Sequence, residues 1–274
     1  MKISRRRFFK KLFILSTTLI ILVYIDSYWF EKYIIDWDEY DLSKSKKNKI
    51  KIIQISDLHL KGLKYFHKTV AERINKEQPD VIAFTGDTIS RRNTYPILIE
   101  FLDLIDEKIL KIAILGNKEY DARATVEDLN AIFKNYNGLV LRNKNYVLTK
   151  GERAINILGI DDFLHGKPDF INAIMNINKS LDTIVLNHCP GYSDTIDELN
   201  VEEKLNIKMI LSGHTHGGQI TFFGIKIFTP DGSGNYLKGW YNLKTTKMYV
   251  SKGIGTTVIP LRFFARAEAT IFHI

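Results

Sequence analysis

The hydrophobic pattern divides the chain into an apolar N-terminal run, a polar stretch and a long alternation of apolar and amphipathic segments. Residues 12–25 are uncharged and mostly apolar, and a β-branched run begins at Ile50. From there, short apolar runs alternate with amphipathic segments, which predicts β-α-β units with parallel strands. We predict an N-terminal membrane anchor at 1–30, a tether or edge segment at 31–49, and one domain at 50–274.

The alternation predicts an α/β domain without internal repeats. Its predicted strands cover residues 50–55, 81–84, 110–115, 154–159, 183–186 and 208–211. Its predicted helices cover residues 65–76, 95–106, 125–136, 169–177 and 193–199. Short segments at 138–142, 146–149 and 154–159 have an antiparallel pattern, and hairpin-like segments follow the last predicted parallel strand. In open parallel sheets, ligands bind beyond the carboxyl ends of the strands.

The N-terminus has the features of an export and anchoring segment. Six positive charges precede the apolar run, and aromatic residues follow it. The run alone is short for a span, but extended to residue 30 it reaches about 20 residues. The stretch from Ser4 to Lys10 resembles a twin-arginine export signal, and an Ala-x-Ala cleavage site is not evident. We expect an uncleaved anchor with an extracytoplasmic domain, and a helix lying on the inner leaflet is the alternative.

Charge and cysteine content change this picture little. The chain has 274 residues, 45% of them hydrophobic, with a formal charge of +8 and one cysteine, Cys189. Basic clusters flank the apolar run, which favours an acidic membrane surface over nucleic acid as partner. A single cysteine excludes an intramolecular disulfide, and we expect Cys189 to be a small buried residue.

Polar side chains of metal-binding type follow the predicted strands. They are Asp57, His59, Asp87, Asn117, His188, His214 and His216. The last two flank Thr215 in a glycine-rich loop, so their side chains can approach one site. Taken singly, Asp57 could cap a helix, Asn117 could form an Asx turn and His188 could be a core histidine. Together, seven such residues at strand ends indicate a metal centre.

The order of these motifs resembles that of the calcineurin-like metallophosphoesterases. Residues 57–59 match Asp-x-His, residues 86–87 match Gly-Asp, and residues 213–216 match Gly-His-x-His, with Gly116-Asn117 and His188 between them. The tail at 251–263 is similar to the membrane-associated bacterial branch. The resemblance implies a four-layer α/β/β/α sandwich with two metals. The implied ligands of the first metal are Asp57, His59, Asp87 and His216. Those implied for the second are Asn117, His188 and His214, with Asp87 bridging.

The donor types agree with that implication. Mixed imidazole, carboxylate and amide ligands suit Mn²⁺, Fe²⁺ or Zn²⁺ better than an all-oxygen Ca²⁺ site. Two such cations can activate a hydroxide for attack on phosphorus and neutralise phosphate charge. We therefore expect hydrolysis of a phosphoester or phosphoanhydride without a covalent enzyme intermediate, with Asp87 and Asn117 in the catalytic centre.

Lys118 departs from the family pattern, which usually has histidine after Gly-Asn as a proposed acid for the leaving group. An ammonium is a poor acid at neutral pH but can stabilise phosphate charge. A phosphoanhydride needs no proton on its leaving phosphate, so its hydrolysis would be slowed little by the absence of an acid at this position. The chain is therefore also similar to UDP-2,3-diacylglucosamine pyrophosphohydrolases of lipid A synthesis, which have a basic residue there. A catalytically impaired metal- or lipid-binding scaffold is a further alternative.

The segment at 220–228 is unusually apolar for the flank of a hydrophilic site. It is either an ordinary hairpin with one buried face or a rim that accepts acyl chains or dips into the membrane. We expect membrane lipids as partners and a phosphate-containing substrate, such as a glycolipid or phospholipid. The sequence does not distinguish these from a soluble nucleotide, and we expect no nucleic-acid partner.

Overall fold

The helices and strands follow the alternation in the sequence. The structure, a computed structural model, describes residues 4–43, 48–222, 225–226 and 228–274. Its helices are α1 (Arg5–Ile25), α2 (Glu31–Tyr33), α3 (Tyr65–Glu77), α4 (Tyr95–Leu102), α5 (Asn117–Asp121), α6 (Val126–Lys134), α7 (Phe170–Ala173) and α8 (Ser193–Glu203). Its strands are β1 (Asp36–Asp41), β2 (Lys51–Ile55), β3 (Val81–Thr85), β4 (Leu110–Ile114), β5 (Gly138–Val140), β6 (Lys144–Lys150), β7 (Arg153–Gly159), β8 (Asp182–Leu186), β9 (Ile207–Ser212), β10 (Thr221–Phe222), β11 (Ile225–Lys226), β12 (Gly239–Asn242), β13 (Lys247–Val250) and β14 (Glu268–His273).

The first sheet has the strand order β1-β14-β2-β3-β4-β5. Strands β2 to β5 run parallel, whereas β14 is antiparallel to β2 and parallel to β1. Asp36 pairs in register with Glu268, so the first sheet extends into the segment that the sequence assigned to a tether or edge. The predicted antiparallel character of 138–142 is wrong for β5. Helix α6 forms a crossover after β4 and returns the chain in the same direction.

The second sheet has the strand order β12-β13-β9-β8-β7-β6. Its four central strands are parallel, and the two edge pairs, β12 with β13 and β6 with β7, are antiparallel. The antiparallel pattern predicted at 146–149 is confirmed by the pairing of β6 with β7. The ends of β2 and β9 lie next to each other. The Gln54 side chain on β2 donates a hydrogen bond to the Ser212 carbonyl on β9 at 2.9 Å. The two sheets thus present their carboxyl ends to one region.

Three apolar clusters hold these elements together. The first lies between the first sheet and helices α3, α4 and α6, and includes Ile53, Phe84, Ile74, Phe101 and Phe133. The second lies between the two sheets and includes Ile52, Ile112, Ile157, Ile184 and Met209. The third lies between the second sheet and helices α7 and α8, and includes Val185, Ile210, Phe170 and Ile196. Because successive strand residues face opposite sides, each sheet is covered on both faces. The α/β class is confirmed, with two mixed sheets.

Helix α1 stands apart from these clusters, whereas Tyr33 at the end of α2 packs against the first of them. Helix α1, a π-helical turn (Asp26–Phe30) and α2 form one continuous helix from Arg5 to Tyr33. None of the residues of α1 is buried. By length and composition this helix can cross a membrane, and a signal sequence has the same character.

Candidate metal centre

The seven predicted ligands converge where the two sheets meet. They come from the turns after β2, β3, β8 and β9 and from the start of α5 after β4. Five of them have left-handed backbone conformations, with φ between 46° and 72°: Asp57, His59, Asp87, His214 and His216. Non-glycine residues adopt this region at a cost of about 1–3 kcal/mol each, so the surrounding structure must hold them there. Such strain is typical of functional sites.

Asp57, His59 and His216 form one group of buried ligands. The Nε2 atoms of His59 and His216 lie 3.0 Å apart. Asp57 Oδ1 lies 3.5 Å from His216 Nε2, and Asp87 Oδ2 lies 3.5 Å from His59 Nε2. Donor atoms this close, all turned toward one point, can share a single cation.

Asp87 also belongs to a second group. Its Oδ1 atom lies 3.4 Å from His188 Nε2. The Asn117 side-chain oxygen lies 3.3 Å from His188 Nε2 and 3.1 Å from His214 Nδ1. The two carboxylate oxygens of Asp87 therefore face the two groups separately. This is the arrangement that a bridging carboxylate requires.

Neighbouring backbone carbonyls determine which ring nitrogen of His188 and of His214 is available to bind a cation. His188 Nδ1 donates to the Thr85 carbonyl at 2.8 Å, which leaves Nε2 facing Asp87. His214 Nε2 donates to the Asp231 carbonyl at 2.6 Å, which leaves Nδ1 facing Asn117. Metal-binding histidines usually donate their other nitrogen in this way, because the hydrogen bond sets ring orientation and tautomer.

Burial shapes the protonation of the ligands. It lowers the pKa of His59 and of His214 to about 4 and that of His216 well below its ordinary value. These imidazoles are therefore neutral near pH 7, as metal ligands must be. Burial raises the pKa of Asp57 to about 6, and the Asp87 charge adds to the effect. Two buried carboxylates so close together need positive charge to be stable.

Glu119 connects the loops that bear the ligands. Its buried carboxylate accepts hydrogen bonds from the backbone N–H groups of Asp87 (2.9 Å), Ile89 (3.0 Å) and Gly116 (2.9 Å). The loops after β3 and β4 are thereby held in one arrangement. Sequence reasoning assigned Glu119 no role. The signal was a glutamate two residues after Asn117.

Two glycines allow these loops to approach one another. Gly86 has φ of 91°, and a Cβ atom there would lie 2.8 Å from His188 Cγ. A Cβ atom at Gly116 would lie 2.6 Å from the backbone nitrogen of Asp87. Only a residue without a side chain fits these positions.

A buried arginine, Arg262, lies behind His216. Its guanidinium donates to the backbone carbonyls of Gly255 at 2.6 Å and Ala265 at 2.8 Å, and Nη2 lies 3.4 Å from His216 Nδ1. Burial lowers its pKa to about 10, and the charge of Asp57 opposes that shift. Sequence reasoning missed this contribution, because nothing in the local pattern distinguishes Arg262 from a surface arginine.

Lys118 lies at the edge of the centre. Its backbone N–H donates to Asp87 Oδ1 at 2.7 Å, while its ammonium pairs with Asp121 at 2.7 Å. The side chain is about one-third exposed and lines the cleft described next.

The ligands form the floor of a cleft of about 810 Å³. Basic side chains line one part of it: Lys61, Arg91 and Lys118. Apolar side chains line another part: Ile220, Phe228, Val258 and Ile259. Such a cleft suits a ligand with a phosphate group and an apolar portion.

Comparison with known proteins agrees with this geometry. The model of the calcineurin-like phosphoesterase family matches residues 50–218. The chain belongs to this family. It is 32% identical to an uncharacterized metallophosphoesterase, YkuE, of Bacillus subtilis, over 99% of this chain and 97% of the relative. It is also 27% identical to a bovine transmembrane protein with a metallophosphoesterase domain, over 81% of this chain and 52% of the relative.

Solved structures support the fold. A dimetal phosphatase from Danio rerio superposes with a TM-score of 0.50 at 10% identity, over 76% of this chain and 88% of that one. By its family match and its buried His/Asp metal-binding groups, the protein is a metallophosphoesterase. The donor set fits a dinuclear site of this family, since each group contains neutral imidazole and carboxylate or amide oxygen.

Proposed function

We propose that this metallophosphoesterase is a membrane-anchored, two-metal hydrolase that cleaves a phosphoester or phosphoanhydride bond in an amphiphilic substrate. The proposal depends chiefly on one observation. The metal-binding groups, the apolar wall of the cleft and the attachment of the N-terminal helix are formed by adjoining loops.

The ligand geometry supports the following roles. Asp57, His59 and His216 would hold the first cation together with Asp87. Asn117, His188 and His214 would hold the second, and Asp87 would bridge the two. Bound Mn²⁺, Fe²⁺ or Zn²⁺ would supply a water of lowered pKa and neutralise phosphate charge.

Lys118 is proposed to influence which leaving groups are cleaved. Its ammonium pairs with Asp121 and would stabilise phosphate charge without delivering a proton to the leaving group. Substrates whose leaving group needs no proton are therefore favoured. Phosphoanhydrides meet this condition, and the UDP-diacylglucosamine pyrophosphate bond is one example.

The contacts of the N-terminal helix favour an anchor that is retained over a signal that is removed. The Glu31 carboxylate accepts hydrogen bonds from the backbone N–H groups of Phe264 (2.8 Å) and Ala265 (2.9 Å). Lys32 Nζ donates to the Pro260 carbonyl at 2.8 Å. The Ser27 carbonyl accepts from the backbone of Arg262 at 2.9 Å. Removal of the helix through Lys32 would eliminate all of these contacts.

Charge asymmetry supports an orientation for the anchor. Basic residues precede the apolar run, and such residues favour the cytoplasmic side. The catalytic domain would then be extracytoplasmic, with membrane lipids beside the cleft.

The test of the proposed activity uses the full chain in detergent with Mn²⁺. We expect turnover of bis-p-nitrophenyl phosphate that chelation abolishes and Mn²⁺ restores. Phosphodiesters, alkyl monoesters and UDP-diacylglucosamine are then compared at equal concentration. Absence of turnover on every substrate, with both metals bound, would favour the scaffold alternative.

A further inference from the structure

We propose that the mouth of the catalytic cleft docks on the bilayer surface, through an apolar edge made of Phe228, Val258 and Ile259. This edge is called the docking edge below. The inference rests on the proposed retention of the N-terminal anchor, and it adds a second contact between the catalytic domain and the membrane.

The docking edge is unusually exposed for its apolar character. Val258 is 99% exposed, Phe228 71% and Ile259 46%. Single exposed apolar residues are common on soluble proteins, but a contiguous set beside a functional cleft marks an interaction surface. Phe228, Val258 and Ile259 all line the cleft that contains the metal ligands. The exposed apolar surface is therefore at the entrance of the site.

The backbone of Val258 has a strained conformation. Its φ is 39°, in the left-handed region that a β-branched residue rarely adopts. The neighbouring backbone is held on both sides of it, because the Gln219 amide donates to the carbonyls of Thr257 (3.1 Å) and Ile259 (2.8 Å). Thr257 N–H in turn donates to the Gln219 side-chain oxygen at 2.9 Å. The hydrogen bonds to Gln219 thus hold the turn in a conformation that exposes the Val258 side chain to solvent.

The same loop is attached to the N-terminal helix. Pro260 accepts from Lys32, and Arg262 N–H donates to the Ser27 carbonyl. The helix thus reaches the domain within a few residues of Val258 and Ile259. If α1 spans the bilayer, the docking edge cannot lie far from the membrane surface.

The position of the docking edge beside the N-terminal helix indicates that its partner is the bilayer surface. An apolar edge that begins at the attachment of a membrane helix is complementary to the interfacial layer of a bilayer, where apolar side chains penetrate about 5–10 Å. A lipid phosphate group could then enter the cleft without its acyl chains leaving the membrane. A soluble protein partner is the alternative occupant, and the test distinguishes it.

The experiment places a fluorescent probe on the docking edge of the full chain. The single native cysteine, Cys189, is fully buried, so Val258→Cys and Phe228→Cys can each be labelled selectively with a thiol-reactive NBD probe. Val201→Cys on α8, 53% exposed, is the matched control. The labelled proteins are reconstituted into vesicles of equal parts phosphatidylglycerol and phosphatidylethanolamine, with nitroxide-labelled lipid as quencher.

We expect blue-shifted emission and nitroxide quenching at residues 258 and 228, and neither at residue 201. Quenching at 258 and 228 no stronger than at 201 would overturn the docking inference and favour a soluble partner. Turnover of bis-p-nitrophenyl phosphate by the unmodified chain is measured in the same vesicles. Docking without any turnover would overturn the proposed activity and leave the docking edge supported, whereas turnover without docking would do the reverse.

Discussion

Asp87 is the residue on which both groups of ligands depend. Its two oxygens face His59 and His188 at 3.5 and 3.4 Å, so this one carboxylate contacts both groups of ligands. Asp87→Ala should therefore lower metal content at both sites. Turnover should fall by more than about 100-fold. Loss of a residue that only orients a metal ligand already costs up to about 100-fold in metal affinity or activity, and Asp87 is itself a proposed ligand.

Metal content by mass spectrometry and turnover of an aryl diester measure this effect together. Asp103→Ala is the control, because Asp103 is an exposed carboxylate on the C-terminal side of α4. Two tightly bound metals and near-normal turnover in Asp87→Ala would show that Asp87 does not bridge.

Lys118 offers a test of substrate preference. Lys118→His would place an imidazole near the leaving group, and a general acid is typically worth 10²–10⁴-fold. We expect turnover of alkyl monoesters to rise by at least about tenfold, while anhydrides change little. Lys118→Ala should weaken all substrates alike, since it removes a positive charge from the cleft wall.

The measurement is turnover against the pKa of the leaving group under saturating Mn²⁺. Asp121→Ala is the matched control, because it removes the partner of the Lys118 ammonium and keeps the lysine. Equal slopes for the wild type, Lys118→His and Lys118→Ala would mean that residue 118 does not act on the leaving group.

The ligands could be predicted as single residues, because they occur in a fixed order along the chain and each closely follows an apolar strand. The structure brings all seven together. Arg262 could not be predicted in the same way. Its contact with His216 depends on how the tail folds back across the end of β9, and that path has no local sequence signal.

Among the elements, the turns after β3 and β4 depend on Glu119. Glu119→Ala would leave three buried backbone N–H groups without their acceptor. An unsatisfied buried donor costs about 1–3 kcal/mol, so the free energy of unfolding should fall by about 3 kcal/mol or more. We also expect weaker metal binding, since Asp87 and Asn117 lie on these turns.

Chemical unfolding in detergent, followed by near-UV circular dichroism, measures the change. Glu127→Ala on the exposed face of α6 is the control. A Glu119→Ala variant as stable as the control would show that these hydrogen bonds do not hold the turns.

Strand boundaries were predictable where an apolar run ends close to a polar residue or glycine, and helix ends were less so. Strands β2, β3, β4 and β8 match the predicted runs to within one residue. Helix α7 ends at Ala173 rather than at 177, because Asn176 has a left-handed backbone with φ of 59°. The direction of β5 was missed because strand pairing is decided by tertiary contacts, which a three-residue strand does not encode.

The whole molecule makes a prediction about topology. With its basic N-terminus inside the cell, the chain should place its C-terminus outside. An alkaline phosphatase reporter fused after Ile274 should then be active, and a green fluorescent protein fused there should be dark if export is through the general secretory route. An inactive phosphatase fusion would overturn the spanning orientation and favour a cytoplasmic glycolipid substrate.

The general architecture followed from the alternation of strands and helices, but the junction between anchor and domain did not. That junction involves Glu31 and Lys32 contacting residues more than 220 positions later in the chain. Polar stretches between elements give no periodic signal, so their docking partners cannot be inferred from sequence alone.

The most direct test of the account is the ratio of metal to protein, measured together with turnover. The full chain is purified in detergent, treated with a chelator, and titrated with Mn²⁺ while aryl-diester turnover is followed. We predict two Mn²⁺ ions bound per chain at saturation, with turnover that rises only as they bind. Turnover that persists after complete removal of metal, or a saturated protein that binds no Mn²⁺, would contradict the account.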